Sequence, residues 1–221
     1  MKNKKVLLTG GSRGIGKAIK ESLVATGLYD VITPSSEELD LSDISSVEAY
    51  CNKDLEFDIL INNAGVNFIR KIHEITPKEI EILNNINLVS PLLLTQKVVE
   101  YMKSQRYGKI LNVSSIWGIK SKEFRTLYSG SKFGIIGQTK ALSRELGVDN
   151  ILINALCPGY VMTDMTDMTV PKDEQEIIKT TIPLKRFAQP NEIANMVAFL
   201  ISEKNSYMTG QTVVVDGGFT A

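Results

Sequence analysis

The sequence predicts an α/β protein with a doubly wound, mostly parallel sheet and helices on both faces. Short apolar runs alternate with helix-patterned segments, and a glycine-rich loop joins the first run to the first helical segment. Buried parallel strands are near-continuous apolar runs, and such alternation indicates a sheet covered on both sides. The 221 residues fit one domain, so we expect a single domain over residues 1–221.

Composition and charge exclude several function classes. Lys plus Arg and Asp plus Glu are 25 each, so the basic excess of a nucleic-acid-binding protein is absent from the sequence. The apolar runs are too short for a membrane span or a signal peptide, and we expect a cytoplasmic protein without membrane partners. Cys51 and Cys157 lack a metal-ligand spacing and His73 stands in a polar stretch, so no metal site is predicted.

The first unit of the chain predicts a phosphate-binding loop. A strand at Lys4–Thr9 precedes the glycines of Gly10–Gly16, and helical periodicity covers Lys17–Thr26. A helix N-terminus offers free N–H groups and a positive dipole end, and glycine lets a ligand approach the backbone. The overlapping segment Gly11–Lys17 also fits the spacing of an ATP-binding P-loop. The next position, however, is Ala18 instead of the Ser or Thr that would bind magnesium, which disfavours phosphoryl transfer.

The second unit is shortened. A short strand ends at Val31–Ile32, and the sequence leaves no room for a helix before a brief third strand predicted at Glu38–Leu41. The residues after the second strand normally select the cofactor, because a carboxylate there binds the ribose 2′-hydroxyl of NAD. Thr33–Ser36 contain no carboxylate, and Arg13 supplies a cation for a 2′-phosphate. NADP(H) is therefore favoured, with Ser35 as a further contact. NAD(H) is the alternative, in which case Arg13 is only a solvated loop residue.

The remaining elements complete a predicted seven-stranded sheet. Four more strands are expected at Phe57–Ile61, Lys109–Val113, Ile151–Leu156 and Thr212–Val215. Helices are expected at Thr76–Ser104, with a kink at Pro91, and at Thr126–Gly147 and Gln189–Ser202. The segment 160–183 lacks a clear amphipathic stripe at its start and follows a strand, which predicts a mobile lid over the substrate.

Tyr128 and Lys132 are candidates for proton chemistry. They are four residues apart and so share one face of the predicted helix. A nearby ammonium lowers the pKa of a phenol, and Ser115, at the end of a strand, can hold a substrate oxygen beside it. Asn87 lies within a helix, where an Asn is costly unless its side chain is hydrogen-bonded. The alternative is that a Tyr and a Lys at this spacing have no chemical role.

Taken together, the motifs resemble one enzyme family along almost the whole chain. They are Thr9–Gly16 (T-G-x-x-x-G-x-G), Asn62–Gly65 (N-N-A-G), a helical Asn87, Ser115 followed by Tyr128-x-x-x-Lys132, Pro158–Thr163 (P-G-x-x-x-T) and the closing TGQTVVVDGG. In this order they resemble the short-chain dehydrogenase/reductase family, classical type. Within that family, the closing stretch and the run RFAQPNEIANMVAFL most resemble the 3-oxoacyl-[acyl-carrier-protein] reductases. The shortened region after the second strand departs from the family pattern and leaves the adenine-side contacts open.

The resemblance implies a Rossmann-type fold and hydride transfer between NADP(H) and a carbonyl or secondary alcohol substrate. It implies that Tyr128 exchanges a proton with the substrate oxygen, that Ser115 positions this oxygen, and that Lys132 lowers the Tyr128 pKa and holds the nicotinamide ribose. It further implies that Asn87 anchors a water linked to Lys132. The cofactor contacts implied are Gly10, Ser12, Arg13, Ile15, Gly16, Ser35, Asp40, Leu41, Asn63, Ala64, Gly65, Tyr128, Lys132, Pro158, Gly159, Val161 and Thr163.

The sequence gives less direct information on the oligomeric state and on the substrate. The resemblance implies a homotetramer or homodimer formed through the two long helices. The side chains of Phe68, Ile69, Trp117, Tyr160 and Met165 are candidates for an apolar substrate pocket, or for simple packing. The alternatives for function are an NAD(P)-sensing or scaffold protein without catalysis, and an NAD-dependent sugar or alcohol dehydrogenase.

Overall fold

The computed structural model describes residues 3–221, without the side chains of Met165 and Thr169, and within that range the sheet has six parallel strands. The strands are β1 (Lys4–Leu8), β2 (Tyr29–Ile32), β3 (Ile59–Asn62), β4 (Gly108–Val113), β5 (Ile151–Pro158) and β6 (Thr212–Val215). Their order in the sheet is β2-β1-β3-β4-β5-β6. The chain therefore reverses its direction of winding between β1 and β3, the position at which open α/β sheets bind ligands.

Helices cover both faces of the sheet, as predicted. They are α1 (Gly14–Ala25), α2 (Ile44–Cys51), α3 (Pro77–Asn84), α4 (Ser90–Gln105), α5 (Thr126–Leu146), α6 (Asp164–Thr169), α7 (Lys172–Thr181) and α8 (Pro190–Ile201). Successive side chains of β1 point to opposite faces of the sheet, and each face has its own apolar core cluster. Leu7 packs in the cluster with Val98 of α4, whereas Val6 and Leu8 pack in the cluster with Ile193 of α8.

The predicted third strand at Glu38–Leu41 is wrong, and within residues 3–221 the sheet has six strands instead of the seven predicted. The segment is a turn in which the backbone N–H groups of Glu38 and Leu39 donate to the carbonyl of Ser35 at 3.2 and 3.0 Å. A parallel strand beside β2 would need a crossover of a dozen or more residues. The shortened chain has no such crossover, and it continues instead into α2, which the sequence interpretation missed.

The long helical segment is interrupted at a functional position. The Thr76–Glu79 capping box is present at its start, but a π-helical turn at Asn85–Val89 separates α3 from α4. Pro91 has no N–H to donate to the carbonyl of Asn87, four residues earlier, and a wider turn at this point accommodates it. The break therefore lies just before Pro91 and includes Asn87.

The segment predicted as a lid contains two helices, α6 and α7, together with a parallel bridge between Val161 and Ala188. Among the residues described, no helix is both long and apolar enough to cross a membrane.

Candidate functional site

A cleft of about 690 Å³ runs along the carboxyl ends of the strands. Every residue that the sequence predicts to contact the cofactor lines this cleft, and so does Ser115. These are Gly10, Ser12, Arg13, Ile15, Gly16, Ser35, Asp40, Leu41, Asn63, Ala64, Gly65, Tyr128, Lys132, Pro158, Gly159, Val161 and Thr163. Asn87 is buried beside the cleft wall. The structure thus brings residues from most of the chain into one continuous groove.

The glycine loop is shaped by two close approaches. Gly10 has φ +67°, and a Cβ added there would lie 2.9 Å from Cα of Ala64. A Cβ on Gly16 would overlap the carbonyl oxygen of Gly10 and lie 2.5 Å from Nδ2 of Asn63. Only glycine fits both positions, because φ is left-handed at the first and backbone occupies the space at the second.

Thr9 and Asn63 hold this loop against the end of β3. The Thr9 hydroxyl accepts from the backbone N–H groups of Asn63 and Ala64 at 3.0 and 3.1 Å. The Asn63 amide donates to the carbonyls of Thr9 and Gly10, both at 3.0 Å. The amide of Asn63 therefore fixes the shape of the loop.

The start of α1 is suited to a diphosphate. The residue that begins the helix, Arg13, makes no side-chain capping bond, so the first N–H groups of α1 stay available to an anion. Lys17, which a P-loop would direct at phosphate, instead pairs with Glu21 at 3.8 Å and is 60% exposed. The loop and helix therefore fit the phosphates of a dinucleotide.

The catalytic candidates meet where β4 ends against α5. The Ser115 hydroxyl accepts from the backbone N–H of Trp117 at 3.2 Å, and Ser114 donates to the carbonyl of Lys132 at 2.9 Å. Lys132 is 3% exposed and donates to the carbonyl of Val113 at 2.9 Å. These bonds join strand and helix, so Ser115, Tyr128 and Lys132 face the same part of the cleft.

The π-helical turn directs Asn87 at the wall of the cleft. Its amide oxygen accepts from the Val66 N–H at 2.9 Å, and its Nδ2 donates to the Val66 carbonyl and to Ser131 at 2.9 and 3.1 Å. A Cβ on Gly65 would be 3.4 Å from both the Asn87 amide oxygen and Nζ of Lys132. The side chain is thus held by protein groups, in agreement with the expectation that a helical Asn must be hydrogen-bonded.

Burial is the largest cause of the pKa shifts of Tyr128 and Lys132. It raises the pKa of Tyr128, while the neighbouring Ser115 hydroxyl and the charge of Arg125 act in the opposite direction. Burial lowers the pKa of Lys132 from 10.5 to about 8. We expected Lys132 to lower the pKa of Tyr128, but the cation with that effect in this structure is Arg125. Nζ of Lys132 is directed at the Val113 carbonyl and lies 5.6 Å from the centroid of the Tyr128 ring.

Lys132→Met should stabilise the protein while removing a catalytic candidate. A lysine with a lowered native pKa binds fewer protons than in the unfolded chain between about pH 8 and 10.5, so wild-type stability rises with pH across that window. The variant avoids the burial of this charge. We expect its free energy of unfolding at pH 7 to exceed that of wild type by about 1 kcal/mol.

Urea unfolding at pH 7 and pH 10 measures the effect. Because wild type gains stability between these two pH values, the advantage of the variant should be lost at pH 10, where Lys132 is neutral. Lys140→Met removes an exposed lysine from the same helix and is the control. A variant that is less stable than wild type at pH 7 contradicts the prediction.

The adenine end of the cleft contains two cations. Arg13 and Lys20 line it together with Thr33–Ser36. In the described part of the chain neither cation has an acidic partner within 4.0 Å. The nearby Asp40 carboxylate accepts from the backbone N–H and the hydroxyl of Ser42 at 2.9 and 2.7 Å, and these bonds lower its pKa. One of its oxygens is thus already engaged within its own turn.

Aromatic side chains form the other end. Trp117 and Tyr160 line the cleft, with ring centroids 6.2 Å apart, and Tyr160 stacks on Phe187 at 5.2 Å. Of the other pocket candidates, Phe68 and Ile69 do not line the cleft, and the side chain of Met165 lies outside the described residues.

Two polar residues in the cleft were missed by sequence reasoning. Arg125 is 7% exposed, and its Nε has no hydrogen-bond partner among the described residues. The Oδ1 atom of Asn67 is likewise buried and unpaired within residues 3–221. The spacing of Arg125, one helical turn before Tyr128, was the available signal. Over the same range, no group of three or more His, Cys, Asp or Glu side chains could hold a metal ion.

Comparison with known proteins gives consistent matches. The family model described as Enoyl-(Acyl carrier protein) reductase matches residues 37–220. The chain is 36% identical to 3-oxoacyl-[acyl-carrier-protein] reductase FabG of Aquifex aeolicus, over 99% of this chain and 98% of that protein. It is also 36% identical to acetoacetyl-CoA reductase of Shinella zoogloeoides, over 96% of each. The alignment with the Aquifex protein runs over 243 residues, so that relative contains residues that this 221-residue chain lacks.

Solved structures agree in fold and in cofactor type. A 4-hydroxyisoleucine dehydrogenase complexed with NADH superposes with a TM-score of 0.93 at 27% identity, over 99% of each chain. ElxO with NADP bound superposes with a TM-score of 0.89 at 26% identity, again over 99% of each chain. With the dinucleotide cleft described above, these matches show that the chain belongs to the short-chain dehydrogenase/reductase family of NAD(P)-dependent oxidoreductases.

Proposed function

We propose that the protein is an NADPH-dependent reductase of a ketone, with Asn87, Ser115, Tyr128 and Lys132 as its catalytic residues. The observation that carries the proposal is the meeting of Ser115, Tyr128 and Lys132 in the cleft whose far end is the glycine loop. When bound, the cofactor supplies the hydride. The loop residues Gly10–Gly16 and the free N–H groups of α1 would hold its diphosphate.

The chain's own groups handle the substrate oxygen and its proton. Tyr128 donates its phenolic proton to the carbonyl oxygen, and Ser115 hydrogen-bonds the same oxygen and fixes its position. Lys132, whose pKa is about 8, has donors left over after its bond to Val113 and can hold ribose hydroxyls. Asn87 keeps the Gly65–Val66 backbone in place beside Lys132. Reduction of a ketone, measured as loss of NADPH absorbance, tests this function directly.

The preference for NADPH is supported by charge. Arg13 and Lys20 both line the adenine end without acidic partners within the described range, and guanidinium geometry matches a phosphate. The Glu38 carboxylate nearby is occupied, since it accepts from the Ser35 N–H at 2.8 Å. The relatives with known cofactors divide between NADH and NADP, so this preference rests on the residues of this chain.

Arg13→Gln should weaken NADPH binding by about tenfold to a hundredfold, the usual value of a charge-assisted hydrogen bond, and leave NADH binding nearly unchanged. Fluorescence transfer from Trp117, the single tryptophan, to the nicotinamide measures both affinities. Lys17→Gln, on the same helix but outside the cleft, is the control. A wild-type enzyme that binds NADH more tightly contradicts the preference. A variant that weakens the binding of both cofactors equally would show that Arg13 does not contact the 2′-phosphate.

Three further features belong to the proposal. The segment 160–183 closes over the substrate, and its residues Tyr160, Thr166 and Val170 line the cleft. The chain assembles as a dimer or tetramer through α4 and α5, between which an apolar groove contains Leu93, Val99 and other side chains. It acts in the cytoplasm, where its free cysteines stay reduced.

A further inference from the structure

Arg125 is a buried cation at the substrate end of the cleft. It is 7% exposed and directly precedes α5, three residues before Tyr128. It lines the cleft together with Ser115, Trp117 and Tyr160. The adenine end has its own cations, Arg13 and Lys20, beside the glycine loop. Arg125 therefore acts on whatever occupies the space next to the reacting phenol.

Within the described part of the chain, the Arg125 guanidinium has no acidic partner and its Nε has no hydrogen-bond partner. Its Nε is buried and unpaired, and across residues 3–221 no carboxylate lies within 4.0 Å of its nitrogens. Glu174 of α7 is the acidic group that acts on Arg125, but its carboxylate is paired with Lys122 at 3.9 Å and is about half exposed. A buried charge is costly unless it is paired. A bound anion that pairs with the guanidinium would explain why this arginine is buried without an acidic partner.

The backbone directs this side chain into the cleft. Phe124, directly before Arg125, has φ +64°, which a bulky residue rarely adopts. Its carbonyl accepts from the Arg70 N–H at 3.2 Å, which anchors the turn. The positive end of the α5 dipole adds to the charge of Arg125. Together they make the entrance to α5 favourable for a planar anion that the guanidinium can bind in a bidentate manner.

We propose that Arg125 binds a carboxylate of the substrate, and that the substrate is therefore a small carbonyl acid in which the ketone and the carboxylate belong to one molecule. The inference rests on the proposed reductase function and specifies its substrate class. The rings of Trp117 and Tyr160 cover the carbon chain between the two groups. An acyl thioester, which is neutral near its ketone, would leave the buried guanidinium unpaired.

Matched pairs of acid and ester test the proposal. The enzyme with NADPH is assayed on 2-oxobutanoate, acetoacetate and levulinate, each beside its own methyl ester. The members of a pair have the ketone at the same position and differ in the charge of the carboxyl group. The ester makes the ketone more reactive, so a preference for the acid cannot come from intrinsic reactivity. For at least one pair we expect wild type to favour the acid in kcat/KM by about tenfold to a hundredfold, the usual value of a hydrogen bond to a charged group.

Variants then assign that preference to the guanidinium. Arg125→Met should remove it, mainly by raising KM for the acid, and Arg125→Lys should retain part of it. Arg144→Met removes an exposed arginine from the last turn of the same helix and should leave the preference intact. NADPH titration of each variant reports whether the cofactor site is formed.

Three outcomes would overturn the inference. The first is a wild-type enzyme that favours the acid in none of the three pairs. The second is an Arg125→Met variant that weakens turnover of acid and ester equally. The third is a Glu174→Gln variant that changes kcat/KM for acid and ester in the same way as Arg125→Met. That result would mean that Arg125 serves as the counter-ion of Glu174 and not of the substrate. In each of these cases the reductase function stands. An enzyme that binds NADPH but reduces neither member of any pair contradicts the proposed function as well.

Discussion

Tyr128→Phe should abolish carbonyl reduction and leave a folded protein that binds NADPH. The change removes one hydroxyl, the group that we assign to proton donation, and keeps the ring that packs beside Lys132. General acid catalysis by a positioned side chain contributes about 10²–10⁴-fold, so kcat should fall at least about a hundredfold. Steady-state turnover measures the loss, and NADPH titration followed through Trp117 should give an affinity close to that of wild type.

The control for this variant is Tyr207→Phe, which removes the hydroxyl of a tyrosine that is 97% exposed. It should retain full turnover. If Tyr128→Phe kept a near-native rate, Tyr128 would not be the proton donor, and the Ser115 hydroxyl would be the next candidate at the same oxygen. If the variant instead lost NADPH binding, the loss of turnover would say nothing about proton transfer.

Gly16→Ala should remove cofactor binding. The added Cβ would overlap the Gly10 carbonyl oxygen and approach Nδ2 of Asn63, so the loop must move away from the end of β3. The clash is with backbone, which cannot rotate out of the way. Overpacking of this kind costs about 1–3 kcal/mol, and displacement of the N–H groups from the diphosphate weakens binding further. NADPH affinity should fall more than about tenfold, and thermal unfolding should occur at a lower temperature.

Gly130→Ala is the matched control. Gly130 lies within α5, between Tyr128 and Lys132, and a Cβ there would meet no atom within 4 Å. Alanine in a helix interior is favoured over glycine by about 0.5–1 kcal/mol, so this variant should be slightly more stable and bind NADPH normally. Equal NADPH affinity in Gly16→Ala and wild type would contradict the placement of the diphosphate at this loop.

The strands were predictable where both faces are buried. The observed β4 and β5 lie within two residues of the predicted ends, because every residue of both strands is buried and most of these residues are apolar. The failure at Glu38–Leu41 has a physical cause. Leu39 and Leu41 alternate as in a strand and do pack against the core, but from a turn whose backbone N–H groups donate to Ser35 and Ser46 and not to a neighbouring strand. Alternation reports which side chains are buried, and it does not report where the backbone hydrogen bonds go.

The site was predictable where its chemistry is local in sequence. Glycine spacing and the Tyr128–Lys132 interval located the cleft, since a loop or a helix face fixes those geometries within a few residues. Arg125 was not predictable in this way. The role proposed for it depends on a buried guanidinium without an acidic partner, and the groups around a side chain belong to segments that are distant in sequence. The π-helical turn that contains Asn87 was likewise indicated only by Pro91, and its effect on Asn87 needed the three-dimensional packing.

The shortened second unit has a consequence for self-association. Within residues 3–221, β2 is the last strand on its side of the sheet, so one edge of its backbone is free to pair with another chain. Three local features oppose such pairing: the strand has four residues, Asp30 places a charge at an exposed position, and Pro34, which cannot donate a hydrogen bond, follows closely. Charge, brevity and proline at this edge therefore oppose pairing with the edge strand of another chain.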